Sequence, residues 1–242
     1  MADTTPFLFR HRGIAIGFTY VIAASLSFAF QPLWPRTAFD RFVAVDPGGR
    51  INALSGSIPL WQILVPPALV LVCWAWRSWG TSYLRGHIMA DKEMHSDRLI
   101  VAGPFRWLRN PLYFGNLFLS AAFGLLLPPP GLLLVLLLQG ILLGTLAHLE
   151  ARGLRARHGA EYEAYARMVR AFLPLPPHAG VPDSPVAPDW SNGILTESWH
   201  AGFALYLIGV MTHQPTVIWG AVLLLFAVLL RNRIAHRAAR KA

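Results

Sequence analysis

Two polar stretches carry the residue types that could do chemistry, and each stands beside an apolar run. The first reads Gly103-Pro104-Phe105-Arg106-Trp107-Leu108-Arg109-Asn110-Pro111-Leu112-Tyr113. Gly-Pro and Asn-Pro are turn signals, and Pro111 suits the first turn of a helix, where its missing N–H costs nothing. Arg106 and Arg109 are thereby held between two breaks. They either snorkel to bind lipid phosphates or line a polar cavity. The second stretch runs from His148-Leu149-Glu150-Ala151-Arg152 to Arg157-His158-Gly159-Ala160-Glu161-Tyr162-Glu163-Ala164-Tyr165. A carboxylate at the end of an apolar helix is costly without a partner. Glu150 meets that need either through Arg152, Arg155 or another arginine, or by facing a cavity shared with the first stretch. Tyr162, Tyr165 and Val169 fall on one face at helical spacing, away from Arg167 and Arg170, which predicts a helix lying on the membrane surface.

The elements that must position these residues are membrane spans. Of the 242 residues, 55% are hydrophobic and 14% charged, whereas soluble domains carry roughly 25% charged residues. So charge-poor a shell could not keep that much apolar surface in water. Cys73 is the only cysteine, which excludes a disulfide scaffold. The net charge of +9 is scattered between apolar runs and forms no patch with interleaved aromatics, so nucleic acid is not an expected partner. No metal-ligand set is expected either. A crossing helix needs about 20 apolar residues, and six runs come close: Gly13–Phe30, Ser57–Trp76, Leu112–Leu127, Leu132–Leu149, Trp199–Thr212 and Val217–Leu230. None contains Lys, Arg or Asp, and the acid Glu150 follows the fourth. The predicted fold is therefore all-α, a polytopic transmembrane bundle of about six spans.

Turns and charges give its topology. Pro128-Pro129-Pro130-Gly131 predicts a tight hairpin between the third and fourth runs, Gln214-Pro215 another between the last two, and Pro66-Pro67 a kink in the second. Leu173–Asp189, rich in proline, predicts an extended connector. With six spans both termini share a side, and that side holds 18 Lys and Arg residues against Arg36, Arg41 and Arg50 on the other. The positive-inside rule then places both termini in the cytoplasm, with a bacterial inner membrane the expected compartment. Arg10 and Arg12 before the first run also suit a secretory signal, but the run is long for one and the six-span parity works with it retained.

Taken together, the two stretches resemble the isoprenylcysteine carboxyl methyltransferase and phospholipid methyltransferase family of integral membrane enzymes. The pattern is Gly-Pro-[Tyr/Phe]-Arg-x-x-Arg-[His/Asn]-Pro-x-Tyr, then a hairpin and a Glu. After it come x-x-x-Leu-x-x-x-x-Gly-x-Glu-Tyr-x-x-Tyr and Arg-x-x-x-Pro. It is carried here by Gly103–Tyr113, Glu150, Leu154, Gly159, Glu161, Tyr162, Tyr165, Arg170 and Pro174. Residues 95–175 would form the methyltransferase-like core, 1–94 the N-terminal spans and a connector, and 176–242 the Pro-rich connector, last hairpin and basic tail. The resemblance implies a cytoplasm-facing pocket for S-adenosylmethionine, closed partly by the segment after the last motif. Ile100 and Phe105 would line it, Arg109, Asn110, Pro111 and Tyr113 would form its core motif, and Glu150 would bind the cofactor.

Methyl transfer from a sulfonium is an in-line displacement with a neutral leaving group, so alignment and exclusion of water matter most. A carboxylate or thiolate acceptor needs no general base, and no catalytic residue is assigned; His148 also reads as an interfacial cap. The chain departs from the prenylcysteine branch at Asn110 (there His), Ala151 (there often a second Glu) and Leu146 (there an arginine used for the substrate). The implied acceptor is a lipophilic small molecule or lipid with a carboxylate, amine or thiol. A non-enzymatic membrane protein, such as a transporter, an assembly factor or a degenerate relative, is the competing class. For a transporter, the spans offer only Gln62, Asn116, Gln139 and the Pro66-Pro67 kink near the midplane.

Overall fold

Among the described residues each apolar run is largely helical, and the helices of the second, fourth and sixth runs reach well past them. The computed structural model describes residues 7–29, 44–45, 51–52, 60–84, 99–177, 180–181, 183, 185–212 and 214–239. Short α1 (Phe7–Arg10) leads into α2 (Arg12–Ala29), and a two-residue antiparallel ladder pairs β1 (Ala44–Val45) with β2 (Ile51–Asn52). Then come α3 (Leu60–Ser82), a 3-10 turn (Gly103–Arg106), α4 (Pro111–Gly124) and α5 (Pro129–Met168). The chain closes with α6 (Trp190–Glu197), α7 (Trp199–Met211) and α8 (Pro215–Ala239). Gln62, Pro129 and the residues from 235 on lie outside the described side chains.

Five stretches are long and apolar enough to cross a membrane: α2, α3, α5, α6 with α7, and α8. The remaining run, the third, folds as α4, whose 14 residues span only about 21 Å of a hydrocarbon core about 30 Å thick. It sits between α3 and α5, shielded from lipid by both. The order of packing across the bundle is α2, α5, α4, α3, α7, α8, with α6 laid against α3. The outermost helices turn their large apolar side chains outward, Phe18 and Val21 on α2 and Leu223 and Phe226 on α8. Inside, Val70, Ala122, Leu126, Ala204 and Leu207 join α3, α4 and α7. Ala23, Leu127 and Val135 join α2 to the α4–α5 hairpin. Polar glue supplements this packing: Gln139 Nε2 donates to the Ile16 carbonyl at 3.1 Å, and the Tyr20 and Ser120 hydroxyls meet at 3.0 Å.

Pro66 and Pro67 lie inside α3, which continues through both rather than ending there, as expected. One expectation changes: the fourth run does not end at Glu150. It belongs to α5, 40 residues long, which runs on to Met168 with Gly159 in a non-helical conformation at φ 48°, ψ −120°. The apolar part of α5 matches one bilayer core, so the polar remainder projects from it. That end gathers the starts of α2, α4 and α7 and the ends of α3 and α8, together with most of the arginines, and is called the basic end below.

Candidate functional site

The first motif is shaped by its turn. Gly103 adopts φ +54°, and a Cβ there would lie 2.2 Å from the Tyr83 ring, so neither the backbone nor the space admits a side chain. The 3-10 turn that follows brings the chain to Asn110, and Pro111 opens α4. The segment after α5 then runs beside this stretch as a strap. The Arg109 N–H donates to the Arg170 carbonyl at 2.8 Å, Leu175 N–H to Trp107 O at 3.1 Å, and Asn110 Nδ2 to Ala171 O at 3.1 Å.

Beyond Gly159, α5 turns its tyrosines onto the same stretch. Arg109 Nη1 donates to the Tyr162 hydroxyl at 3.2 Å, and the Tyr165 hydroxyl donates to the Phe105 carbonyl at 2.7 Å. Tyr162, Tyr165 and Val169 are buried with Leu99, Val101 and Val181. The face predicted to lie on lipid is therefore the packed floor of the site, which is the better use of two aromatic rings that also carry hydroxyls.

Glu150 lies on the bundle side of this floor. Tyr113, on the first turn of α4, and Arg12, at the start of α2, both lie within electrostatic reach of its carboxylate. Neither Arg152 nor Arg155 fills that role; both are exposed, and Arg155 pairs with Glu163. Leu146, one turn before Glu150, is fully buried with Tyr113, Leu143, Ala147 and Phe9. His148 is exposed.

The expected residues thus fall into two joined groups. Arg109, Asn110 and the Phe105 carbonyl engage the strap and the α5 tyrosines, while Tyr113 and Glu150 lie near each other at the foot of α4 and α5, and Pro111 packs towards Gly80 of α3. Ile100, half-buried, lies in the extended run between Leu99 and Val101 that packs on Tyr162 and Tyr165. A cavity of about 750 Å³ opens on the far side of the 3-10 turn, lined among others by Trp79, Tyr83, Gly103, Arg106, Trp107 and Asp183, and by none of the expected cofactor residues. Arg106 crosses to Asp183 at 3.0 Å instead of reaching lipid.

Sequence reasoning missed two sets of residues. Arg12, with Phe9 beside it, reads in the sequence as one of several flanking charges and nothing marks it out. Arg77 was likewise counted as a flanking charge, yet it lies within α3 and makes a two-pronged ion pair with Glu197 of α6, at 2.8 and 2.9 Å. Its Nη1 also donates to Asn116 Oδ1 at 2.9 Å and to the Leu112 carbonyl at 3.3 Å in α4. Thr81 and His200 complete the cluster around Glu197. Gly115 makes room for this: a Cβ there would sit 2.7 Å from Arg77 Cγ. The available signal was an acid just before the fifth run and an arginine just after the second.

No family model, curated protein or solved structure matches the chain.

Proposed function

We propose that the protein is an integral membrane methyltransferase that uses S-adenosylmethionine to methylate a lipophilic acceptor at the cytoplasmic face of the membrane. One observation carries the reading: two motifs separated by a whole hairpin meet at the basic end, where Arg109 donates to Tyr162, Tyr165 donates to the Phe105 carbonyl, and Tyr113 lies within electrostatic reach of Glu150. The residues suit the cofactor. Arg109 Nε and His158 Nε2 are buried with no hydrogen-bond partner among the described residues, and buried polar atoms are normally satisfied. A guanidinium there can hold a carboxylate or a ribose hydroxyl, and Glu150 with Tyr113 can take an ammonium or hydroxyl.

When bound, the cofactor supplies a methyl already activated on sulfur, which departs as a neutral thioether. The chain's own part is alignment and dryness. The strap from Arg170 to Leu175 covers the motif, and the buried tyrosines fix its floor. The C–S bond breaks as the bond from methyl to the acceptor's oxygen, nitrogen or sulfur forms. An amine acceptor then gives up a proton to solvent, while a carboxylate or thiolate gives up none. The acceptor enters sideways from the bilayer. The buried Leu146, where the prenylcysteine branch has arginine, supports an acceptor other than a prenylcysteine carboxylate. The 18-to-three bias of Lys and Arg supports a cytoplasmic site.

Calorimetry on the detergent-solubilised protein is expected to give micromolar affinity for S-adenosylmethionine, abolished in Glu150→Ala and in Arg109→Ala. Wild-type affinity in both variants would overturn the reading. Incubating membranes with methyl-labelled cofactor is expected to yield a labelled lipid; cofactor binding with no label would mark a non-catalytic relative.

A further inference from the structure

The cavity beyond the 3-10 turn is lined by none of the residues expected to hold the cofactor, yet its walls are fixed. Trp79, in the last turn of α3, meets Trp76 and Trp107 edge to face, with ring centres 5.5 and 6.1 Å apart. Tyr83, just past the end of α3, keeps its ring against Gly103, where even a Cβ would clash. Trp79, Tyr83 and Trp107 line the cavity together with Arg106 and Asp183. These two charges form an ion pair that is not closed. Arg106 donates through Nη1 to Asp183 at 3.0 Å and through Nη2 to the Val181 carbonyl at 3.3 Å, and a guanidinium has further N–H groups to offer. Its side chain is 27% exposed and that of Asp183 62%, so both stay open to a ligand. Depth is set by α3, whose apolar span ends at Ser82. Trp79 and Tyr83 therefore stand at the level of lipid headgroups, where such rings collect.

A lone cation drawn to the rings and to Asp183 is repelled by Arg106, and a lone anion drawn to Arg106 is repelled by Asp183. A ligand with an ammonium and a phosphate a few bonds apart satisfies both charges. Aromatic faces and a carboxylate take the ammonium, and the guanidinium takes the phosphate. We propose that the cavity holds the headgroup of a zwitterionic membrane phospholipid, its phosphate on Arg106 and its ammonium between Asp183 and the rings of Trp79, Tyr83 and Trp107. The bound lipid is a staple and not the methyl acceptor. Arg106 also holds Val181, which packs with Tyr162 and Tyr165, and the Trp107 carbonyl accepts from the strap's Leu175 N–H. An occupant that fixes Arg106 and Trp107 thus steadies the strap.

The test titrates the full chain, in a maltoside detergent, with short-chain phosphatidylcholine, whose quaternary nitrogen has no lone pair left to methylate. Calorimetry is expected to show it binding about tenfold more tightly than phosphatidylglycerol of the same chain length, which keeps the phosphate and lacks the ammonium. Arg106→Gln is expected to weaken phosphatidylcholine by about tenfold, as loss of a charge-assisted hydrogen bond does. Asp183→Asn and Trp107→Leu are expected to narrow the preference over phosphatidylglycerol. Thermal midpoints verify that each variant is folded; should Trp107→Leu not fold, the two charge variants, both at partly exposed positions, decide. Hydrogen exchange at the Leu175 amide is expected to slow when phosphatidylcholine is bound. Equal affinity of the wild type for both lipids, or undiminished affinity in Arg106→Gln, overturns the proposal. Glycerophosphocholine, the same headgroup without acyl chains, binding as tightly as the lipid would make the occupant water-borne and overturn its membrane source. Unchanged exchange at Leu175 overturns the staple. None of these outcomes depends on cofactor binding, so the methyltransferase reading stands or falls separately.

Discussion

A guanidinium is the only side chain that can grip a carboxylate with two parallel N–H groups and still reach a third partner. Arg77 uses that capacity to tie α3, α4 and α6 together through Glu197, Asn116 and the Leu112 carbonyl. Glu197 is 1% exposed, Thr81 donates to its carboxylate at 2.9 Å, and His200 Nδ1 stands 3.0 Å from its backbone carbonyl. Removing one member leaves a buried charge uncompensated. Arg77→Ala is therefore expected to destabilise the protein by about 3–5 kcal/mol, whereas replacing both partners, as Arg77→Met with Glu197→Leu, costs much less. The contrast is the Arg106–Asp183 pair, whose aspartate is 62% exposed. Exposed pairs contribute about 0–1 kcal/mol, so Arg106→Ala is expected to shift stability little. Thermal unfolding in detergent compares all three. A small effect of Arg77→Ala would mean that the cluster is solvated and is not a latch.

Among the elements, α5 shows how one helix serves both the membrane and the site. Its apolar part was legible from the uninterrupted run Leu132–Leu149, and its N-terminus from Pro128–Gly131. Its continuation was legible only as periodicity, because Tyr162, Tyr165 and Val169 at helical spacing do not say whether lipid or protein covers them. The deciding contacts are with Leu99, Val101 and Val181, distant in sequence. Gly159 sets the angle between the two parts. Its φ of +48° and ψ of −120° suit only glycine, although a Cβ would meet nothing within 4 Å. Gly159→Ala is therefore strained by its backbone alone, by about 1–3 kcal/mol. Relieving that strain re-aims the second part of the helix and pulls the tyrosines from Arg109 and Phe105. Hydrogen exchange is expected to speed up at the Arg109 and Leu175 amides, which bond to Arg170 and Trp107 in wild type. Unchanged protection at both amides would show that the strap holds independently of the bend.

For the whole molecule, the bundle was readable because bilayer thickness leaves so few solutions: runs of suitable length must be helices, and proline clusters must be turns. What the sequence hid was the true extent of the helices. Arg77 and Glu197 lie beyond runs defined by hydropathy, yet inside the folded bundle, because each cancels the other's cost. Of the candidate site, the sequence singles out Arg109, Tyr113 and Glu150. It does not single out Arg12, since only tertiary packing separates it from Arg10 next to it. Burying Arg77 removes it from the flanking charges but leaves 17 of the 21 cationic residues in the segments that the six-span topology assigns to one side against three in those it assigns to the other, a bias that favours the expected orientation. In a Cys73→Ala background, which removes the single buried thiol, Ala156→Cys and Gln214→Cys place exposed thiols at opposite ends of the bundle. A membrane-impermeant maleimide is expected to label Gln214→Cys in right-side-out vesicles and Ala156→Cys only in inside-out ones. The reverse pattern would put the Glu150 site on the outer face, beyond reach of a cytoplasmic methyl donor, and the enzyme reading would fall with the orientation.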